Sequence, residues 1–236
     1  MLRWLVATAV DIREVTPTAR TVVFEVPGWP GHAAGQHVDV KLTAPDGYSA
    51  QRSYSVAAPT DGDRVELTIQ RVADGEVSPY LVGDLVIGDQ IELRGPIGGW
   101  FAWHGTETMP VLLVAGGSGI VPLMAMVRAR ARVANPAEFK LLYSVRTPAE
   151  VYYDAELRSK PGLEVTVLFT RKAFGTNRPA GRIGAADLAA GWPPDAGART
   201  YVCGPTGFVE SVTQLLLAGG HDPASIRTER FGPSGG

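Results

Sequence analysis

Short segments in which apolar and polar residues alternate fill the chain from Trp4 to Trp103, and glycines such as Gly35, Gly47 and Gly62 separate them. Alternation with a period of two predicts β-strands that bury one face. Several short strands at this spacing are typical of an antiparallel barrel or sandwich. The predicted strands are TVVFEV at 21–26, HVDVKL at 37–42, RSYSVA at 52–57, VELTIQRV at 65–72 and QIELRG at 90–95.

A different pattern, SPYLVGDLV at 78–86, interrupts these strands. Serine is favoured at a helix N-cap, and proline is favoured at the first helical position. The segment therefore predicts a short helix with Ser78 as its N-cap and Pro79 as its first residue.

From Pro110 onward the pattern changes to buried apolar strands that alternate with helices. VLLVAG at 111–116 is a continuous apolar run, and apolar residues recur at helical spacing over 120–133. The order continues in FKLLYSV at 139–145 with AEVYYDAELRSK at 149–160, in LEVTVLFTR at 163–171, and in TYVCG at 200–204 with TGFVESVTQLLLAG at 206–219. This order predicts a parallel sheet covered by helices on both faces. We therefore expect two domains, an antiparallel β-barrel over residues 1–106 and an α/β domain over residues 107–236.

The composition is that of a globular protein without a basic surface. The 236 residues carry a net charge of −2, so nucleic acid and anionic membranes are not expected partners. No apolar run approaches the roughly 20 residues needed to cross a bilayer, and the apolar start of the chain lacks a small-residue cleavage site. We expect a cytosolic monomer.

Cysteine and histidine usage limits the cofactors that this chain could hold by itself. Cys203 is the only cysteine, which excludes an internal disulfide and a four-thiolate iron–sulfur cluster. The histidines lack metal-ligand spacing and are assigned no metal site; they are His32, His37, His104 and His221. If electrons pass through this chain, we expect their acceptor to be a separate molecule.

The tetrad Arg52-Ser53-Tyr54-Ser55 combines three groups that suit a nucleotide cofactor. An arginine supplies a fixed cation for phosphate, a phenol ring can stack on a planar heterocycle, and a hydroxyl can hydrogen-bond to it. Strand alternation places Arg52 and Tyr54 on one face and the serines on the other. Tyr54 and Ser55 can contact the same ligand only if the strand ends or bulges at Ser55. Taken alone, the tetrad fits an amphipathic strand equally well.

A second motif, Gly75-Glu76-Val77-Ser78, precedes the predicted short helix. It offers backbone amides and a hydroxyl at a helix N-terminus, which is a favourable place for an anion. RSYS and GEVS in this order resemble the FAD-binding domain of the ferredoxin–NADP reductase superfamily. The resemblance implies that GEVS cradles the flavin pyrophosphate, that Ile69 and Arg71 contact the flavin, and that the fold is a Greek-key barrel.

The glycine-rich turn Gly116-Gly117-Ser118-Gly119 lies between a predicted strand and a predicted helix, where backbone amides can approach a diphosphate. It is not the GxGxxG fingerprint, so we do not infer a Rossmann dehydrogenase. In the superfamily the corresponding turn binds the pyridine nucleotide, and the triplet Cys203-Gly204-Pro205 lies beside the nicotinamide. Without its neighbours, Cys203 would be read as a small buried apolar residue.

The resemblance extends from about Val6 to Phe231 and looks nearest to stand-alone bacterial flavin reductases without a fused iron–sulfur domain. The turn GPIGGWFAW at 95–103 matches one that borders the nicotinamide groove. In plant-type members a terminal aromatic shields the flavin. Phe231 could do so here if the GPSGG tail at 232–236 turns away.

Three arginines bear on the choice between NADPH and NADH. Arg146, Arg171 and Arg182 lie in loops that, in the superfamily, surround the adenine-side ribose. Arginines there could bind the 2′-phosphate that distinguishes NADPH. They could equally be solvated loop residues, and NADH-using relatives also carry an arginine near position 146. We favour NADPH over NADH.

The reaction that the resemblance implies is hydride transfer from nicotinamide C4 to flavin N5, followed by one-electron steps to a ferredoxin, a haem protein or a metal-containing oxidoreductase. Tyr54 would stack on the isoalloxazine, Ser55 would hydrogen-bond near N5, and Cys203 would lie near the hydride path without acting as a nucleophile. Two alternatives remain open. One is a non-catalytic flavin- or nucleotide-binding subunit, and the other is a reductase of free flavin or another small molecule.

Overall fold

The computed structural model describes residues 2–172 and 178–232. The chain divides into two compact units, of which the first comprises Met1–His104 with Met124–Ala129 and the second comprises Gly105–Leu123 with Arg130–Gly236. Within the described ranges, no helix combines the length and the hydropathy that a transmembrane span needs.

The first unit is built on a six-stranded antiparallel sheet. Its spatial order is β4-β3-β6-β1-β2-β5, and a single bridge between Val56 and Leu67 joins the end of β4 to β5. The two edge strands therefore meet, and the non-consecutive neighbours give a Greek-key barrel as predicted. The strands are β1 (Leu5–Thr16), β2 (Ala19–Glu25), β3 (His37–Thr43), β4 (Ser49–Ser55), β5 (Arg64–Gln70) and β6 (Gln90–Ile97).

The barrel encloses the apolar face of these strands. Phe24, Val38, Val40 and Leu67 are fully buried, and each such side chain contributes about 1.5–3 kcal/mol by leaving water. Thr21 and Thr68 share a buried hydrogen bond of 2.7 Å between their hydroxyls. Alternation therefore locates the core correctly.

The predicted short helix is present over residues 78–84, and its last five residues, Tyr80–Asp84, form one wide π-helical turn. The Leu85 N–H closes it by donating to the Tyr80 carbonyl at 2.9 Å. Pro79 occupies the N-cap position, and no side chain caps the turn. The Ser78 hydroxyl instead accepts a hydrogen bond of 3.0 Å from the Val72 N–H. The predicted capping role of Ser78 is therefore wrong, because this hydroxyl closes the preceding loop.

The second unit contains a five-stranded parallel sheet with helices, as predicted. Its spatial order is β11-β10-β7-β8-β9, so the order reverses between β7 and β10. In open α/β sheets ligands bind at the carboxyl ends of the strands beside such a switch point. The strands are β7 (Val111–Gly116), β8 (Phe139–Val145), β9 (Leu163–Phe169), β10 (Arg199–Pro205) and β11 (Ile226–Phe231).

Helices pack on this sheet, and one apolar cluster that includes Val114, Leu142, Val202 and Val212 forms its core. The helix predicted over 149–160 is shorter than expected, because Pro148–Glu150 forms a separate turn. Among the described residues the helices are α1 (Ile120–Arg132), α2 (Asp154–Ser159), α3 (Ala185–Ala189) and α4 (Thr206–Ala218).

Candidate functional site

The RSYS tetrad lies on β4, an edge strand that pairs with β3 in unbroken register. Arg52 pairs with Val40 and Tyr54 pairs with Val38. Residues directly opposite one another share a face of the sheet, so Arg52 and Tyr54 lie on the same face, as alternation predicts. Tyr54 is partly buried, and this burial raises its pKa and keeps the phenol neutral at physiological pH. β4 ends at Ser55 without a bulge.

An ion pair joins the RSYS motif to the GEVS motif. Arg52 Nη2 lies 2.6 Å from Glu76 Oε2, and the Tyr48 hydroxyl donates to Glu76 Oε1. Hydrogen bonds from Tyr48 and Arg52 lower the pKa of Glu76. The side chains of Arg52 and Glu76 are 52% and 45% exposed. A pair this exposed contributes little to stability, so a phosphate can replace the carboxylate on Arg52.

The remaining residues of the candidate FAD site lie on β5 and in the segment between β5 and Tyr80. The Gly75 N–H donates to the Val72 carbonyl at 3.0 Å, and a Cβ at Gly75 would lie only 3.1 Å from Ser78 Oγ. Val77 and Ile69 are fully buried, main chain included, so neither offers exposed surface to a ligand. Arg71 is exposed just after β5. An exposed cation, a neutral phenol and a tight glycine turn on one side of the barrel fit a flavin dinucleotide.

Ser53 is engaged on the opposite face of β4. Its hydroxyl donates to Asp39 Oδ1 at 2.7 Å, and Arg94 Nη2 donates to Asp39 Oδ2 at 2.6 Å. Burial alone would raise the pKa of Asp39, but the hydrogen bonds from Arg94 and Ser53 outweigh it and lower that pKa. This network ties β4 to β3 and β6, so Ser53 anchors the strand that carries Arg52 and Tyr54.

His37 is a residue that sequence reasoning missed. It pairs with Ser55 on one side and with Ile97 on the other, and a Cβ at Gly98 would lie 3.4 Å from His37 Nδ1. His37 therefore joins the end of the RSYS strand to the GPIGG turn. Burial lowers its pKa, although Asp39 opposes the shift. The signal available in the sequence was the position of His37 at the start of the predicted strand that precedes RSYS.

The second unit brings the GGSG and CGP motifs into contact at the switch point. A Cβ on Gly119 would lie 2.1 Å from the Cys203 carbonyl oxygen, so the two main chains touch and only glycine fits. Gly116 and Gly204 both pack under the Phe208 ring, since a Cβ at either position would lie 2.7 Å from Phe208 Cδ1. Gly117 has φ +55, and a Cβ there would meet no described atom within 4 Å. Its main chain is open to a ligand, so the turn fits a dinucleotide pyrophosphate.

Cys203 is fully buried within β10. It pairs with Ala115 of β7 and with Glu229 of β11. Burial raises the pKa of the Cys203 thiol well above its usual range, and Glu229 adds to the shift. A neutral thiol is consistent with the absence of a nucleophilic role. Pro205 pairs in turn with Phe231, which is 37% exposed; residues 233–236 of the tail lie outside the described residues.

Glu229 is a second residue that sequence reasoning missed. Burial raises the pKa of its carboxyl to about 7. A carboxyl that titrates near neutral pH beside a predicted nicotinamide contact is a candidate functional group.

The three arginines lie where β8 and β9 end. The Arg171 and Lys172 N–H groups donate to the Arg146 carbonyl at 3.0 and 3.3 Å. The Gly181 N–H donates to the Phe169 carbonyl at 2.9 Å, which brings Arg182 to the same edge. Arg146, Arg171 and Arg182 are all exposed.

An acidic residue, Glu150, accompanies this cluster. Arg146 Nη1 lies 3.9 Å from Glu150 Oε1, while Glu150 Oε2 accepts a hydrogen bond from the Thr147 N–H at 3.0 Å. This hydrogen bond holds the Glu150 carboxylate against the Pro148–Glu150 turn.

Comparison with known proteins identifies both domains. The family model of the oxidoreductase FAD-binding domain matches residues 7–101, and that of the oxidoreductase NAD-binding domain matches residues 113–214. The reductase subunit of an aromatic O-demethylase from Amycolatopsis is 31% identical over an alignment of 254 positions, which covers 99% of this chain and 71% of that protein. A ferredoxin NADP+ reductase from Neisseria gonorrhoeae with bound FAD and NADP shares the fold, with a TM-score of 0.82, 21% identity and coverage of 96% and 98%. This chain belongs to the ferredoxin–NADP reductase superfamily.

This member of the superfamily therefore carries an FAD-binding and an NAD(P)-binding oxidoreductase domain. It is also 30% identical over 206 residues to the ferredoxin–NAD(P)+ reductase component of a naphthalene 1,2-dioxygenase and salicylate 5-hydroxylase system from Ralstonia, covering 85% of this chain and 61% of that protein. Against several curated relatives the chain spans only 51% to 61% of their length.

Proposed function

We propose that this chain is an NAD(P)H-dependent flavin oxidoreductase in which residues 1–106 hold FAD and residues 107–236 hold the pyridine nucleotide. The observation that carries the proposal is that each matched domain brings its two motifs into contact. Arg52 meets Glu76 at 2.6 Å in the first domain. Gly119 and Cys203 meet through their main chains in the second.

On the FAD side, Arg52 binds the pyrophosphate as a charge-assisted donor, and Tyr54 stacks on the isoalloxazine. Ser55, at the end of β4, hydrogen-bonds to the flavin edge. The GEVS loop, with Gly75, Val77 and Ser78, borders the pyrophosphate. The exposed Arg71 contributes a further contact, and the buried Ile69 supports the strand that leads to it. FAD, when bound, takes up a hydride and releases electrons one at a time.

On the nucleotide side, the main chain of the turn from Gly116 through Gly117 and Ser118 to Gly119 binds the diphosphate at the switch point. Cys203, Gly204 and Pro205 border the nicotinamide. The Cys203 thiol is neutral, so it places no charge beside the ring. Phe231, which pairs with Pro205, covers the same end of the sheet.

The exposed guanidinium groups of Arg146, Arg171 and Arg182 favour NADPH over NADH, because they can bind the 2′-phosphate on the adenosine ribose. Glu150 lies close to Arg146, but its hydrogen bond to the Thr147 N–H occupies one of its oxygens. The carboxylate is therefore poorly placed to select NADH.

The acceptor that we propose is a separate protein carrying an iron–sulfur cluster, haem or another metal. Relatives of this chain are reductase components of oxygenase systems. We propose that the chain works in the cytosol as a monomer.

A reductase of free flavin is a second candidate function. The half-exposed Arg52 favours it, because an exposed cation holds phosphate less tightly than a buried one. Such an enzyme would reduce added flavin rapidly without a protein partner and would retain its own flavin weakly.

The decisive experiment is anaerobic stopped-flow mixing of the FAD-loaded protein with NADPH and, separately, with NADH. Bleaching of the flavin absorbance within the first second by either nucleotide would support the reductase, and the faster one would identify its donor. A yellow protein that neither nucleotide bleaches would reject the proposal in favour of a flavin-binding subunit. Turnover with added flavin alone, compared with turnover on a protein acceptor, separates the two reductases.

A further inference from the structure

We propose that Arg128 is a positioning residue for hydride transfer, because it links the helix that begins at the GGSG turn to the main chain that follows the RSYS motif. The inference rests on the proposed function, since it takes the nucleotide to lie on that turn and the flavin to lie on Tyr54 and Ser55. Arg128 belongs to none of the motifs that the sequence indicated.

Helix α1 contributes to both compact units. It begins at Ile120, directly after the Gly117–Gly119 turn, and its residues 120–123 belong to the second unit. Met124–Ala129 of the same helix belong to the first unit. At a rise of 1.5 Å per residue, Arg128 lies about 13.5 Å along the helix axis from Gly119. One unbroken helix therefore connects the candidate nucleotide turn with Arg128.

The middle of α1 is packed tightly within the first unit. Met124, Ala125 and Met126 are fully buried. A Cβ at Gly35 would lie 2.6 Å from Met126 Cε, so this methionine packs directly on the Gly35 main chain. Because close-packed interiors transmit displacements instead of absorbing them, this part of the helix has a fixed position. The packing therefore sets where Arg128 stands on the barrel.

One nitrogen of Arg128 joins two parts of the barrel. Arg128 Nη1 donates to the Ala57 carbonyl at 2.8 Å and to Glu66 Oε1 at 2.7 Å. The side chains of Arg128 and Glu66 are only 17% and 15% exposed, so salt screens this ion pair less than it screens a surface pair. The Ala57 N–H also donates to the Glu66 carbonyl at 2.8 Å. Arg128 therefore reinforces the attachment of Ala57 to β5.

Ala57 lies two residues after Ser55, the last residue of β4. Val56 bridges to Leu67 of β5, and both Val56 and Ala57 are fully buried. The contacts of these two residues therefore set the direction in which the chain leaves Ser55. In the proposed function the Ser55 hydroxyl hydrogen-bonds to the flavin edge, and a misplacement of about 1 Å can cost roughly a hundredfold in rate. Arg128 thus ties the nucleotide turn to a residue that orients the flavin.

Arg13 offers a matched control, because it pairs with the same carboxylate from another direction. Arg13 Nη2 lies 2.7 Å from Glu66 Oε2, and Arg13 Nε lies 2.9 Å from Asp11 Oδ2. Arg13 is a residue of β1 and not of α1. Replacing Arg13 removes one cation from Glu66 and leaves both acceptors of Arg128 Nη1 in place.

Anaerobic stopped-flow reduction of the full-length, FAD-loaded protein tests the proposal, with the faster of NADPH and NADH as the donor. Arg128→Met should lower the limiting rate of flavin bleaching at saturating donor about 10- to 100-fold. The dissociation constant of FAD and the donor concentration at half-maximal rate should stay within about twofold. Arg128→Lys keeps a cation and should recover most of the rate. Arg13→Met should leave the limiting rate within about twofold.

Two further measurements separate positioning from a merely structural role. Urea unfolding of each variant reports its stability, which does not determine the bleaching rate of protein that is folded and loaded with FAD. Arg128→Gln is polar but too short to reach both acceptors. It should slow bleaching as Arg128→Met does, and it replaces that variant if the apolar side chain prevents folding.

The outcomes distinguish the positioning role from the proposed function. Lower stability with an unchanged bleaching rate in the Arg128 variants, or equal slowing by Arg128→Met and Arg13→Met, would overturn the positioning role and leave the flavin reductase intact. A wild-type protein that neither nucleotide reduces would overturn the proposed function, and the positioning role with it. Slowing that is confined to the uncharged Arg128 variants and restored by Arg128→Lys supports both.

Discussion

Replacing Gly119 by alanine should damage the nucleotide domain through a contact that no side-chain movement can relieve. The added methyl would lie 2.1 Å from the Cys203 carbonyl oxygen, 2.5 Å from its carbonyl carbon and 2.8 Å from the Gly204 nitrogen. All three atoms belong to the main chain of β10, so either the glycine turn or the strand must shift. Overpacking of this kind typically costs about 1–3 kcal/mol. We expect a loss near 3 kcal/mol, which is about a hundredfold in the folding equilibrium.

Two other glycines provide matched controls. Gly117→Ala introduces strain at φ +55 but meets no described atom within 4 Å, so it should cost only about 1–2 kcal/mol. Its methyl would stand where the nucleotide approaches, and we expect a several-fold higher KM for NADPH. Gly207→Ala, within α4 and also with no described atom inside 4 Å of the added methyl, should be neutral or slightly stabilising.

Urea unfolding of the three variants, followed by circular dichroism, measures the stability changes, and steady-state kinetics measures KM. A Gly119→Ala protein as stable as Gly207→Ala would refute the main-chain contact at the switch point. A Gly117→Ala protein with an unchanged KM would refute the open approach to the turn.

Three further predictions concern charged groups. Arg52→Ala should raise the dissociation constant of FAD about tenfold by removing a charge-assisted hydrogen bond, whereas the control Arg64→Ala should leave it unchanged. Equal FAD affinities of the two variants in fluorescence titrations would reject the pyrophosphate assignment. Arg171→Ala should raise the KM for NADPH about five- to tenfold and leave that for NADH nearly unchanged, and parallel changes in both would contradict a 2′-phosphate contact. Burial raises the pKa of Glu229 from 4.5 to about 7, so its contribution to stability is complete below pH 4.5 and declines by about 3 kcal/mol as pH rises through 7. Glu229→Gln should flatten this decline in urea unfolding between pH 5 and 8, and an unchanged pH dependence would show that another group is responsible.

The sequence predicted those elements whose local pattern agrees with their final environment. HVDVKL and VELTIQRV alternate in sequence, and both are barrel strands whose valines are buried, although Asp39 and Thr68 are buried on the other face as well. β1 was not among the predicted strands, although it has 12 residues. Its register shifts between Ala9 and Asp11 and again between Glu14 and Thr16, and such irregularities break the alternation on which the prediction depends.

Other features depend on partners that are distant in sequence. β11 reads IRTERF, and nothing in that charged hexapeptide indicates that Glu229 pairs with Cys203 in a parallel sheet. His37 has no local motif, and its relation to Ser55 arises only from the pairing of β3 with β4. Ser78 was predicted as a helix N-cap from its neighbours in sequence. Its hydroxyl instead accepts a hydrogen bond from the Val72 N–H in the preceding loop. Sequence motifs thus predicted the two domains and a nucleotide site in each, while strand pairing decided which further side chains lie beside those motifs.

The position of β11 has a consequence for the order in which the second unit is completed during synthesis. β10 and β7 can pair as soon as residue 205 has been made, but the other side of β10 is covered only when Ile226–Phe231 has formed its parallel ladder. Until then β10 is an open edge, with hydrogen-bonding groups that could pair with another chain. The full burial of Cys203 is therefore acquired late. A chain interrupted before Ile226 presents both an unprotected strand and a thiol that has lost one of its two neighbouring strands.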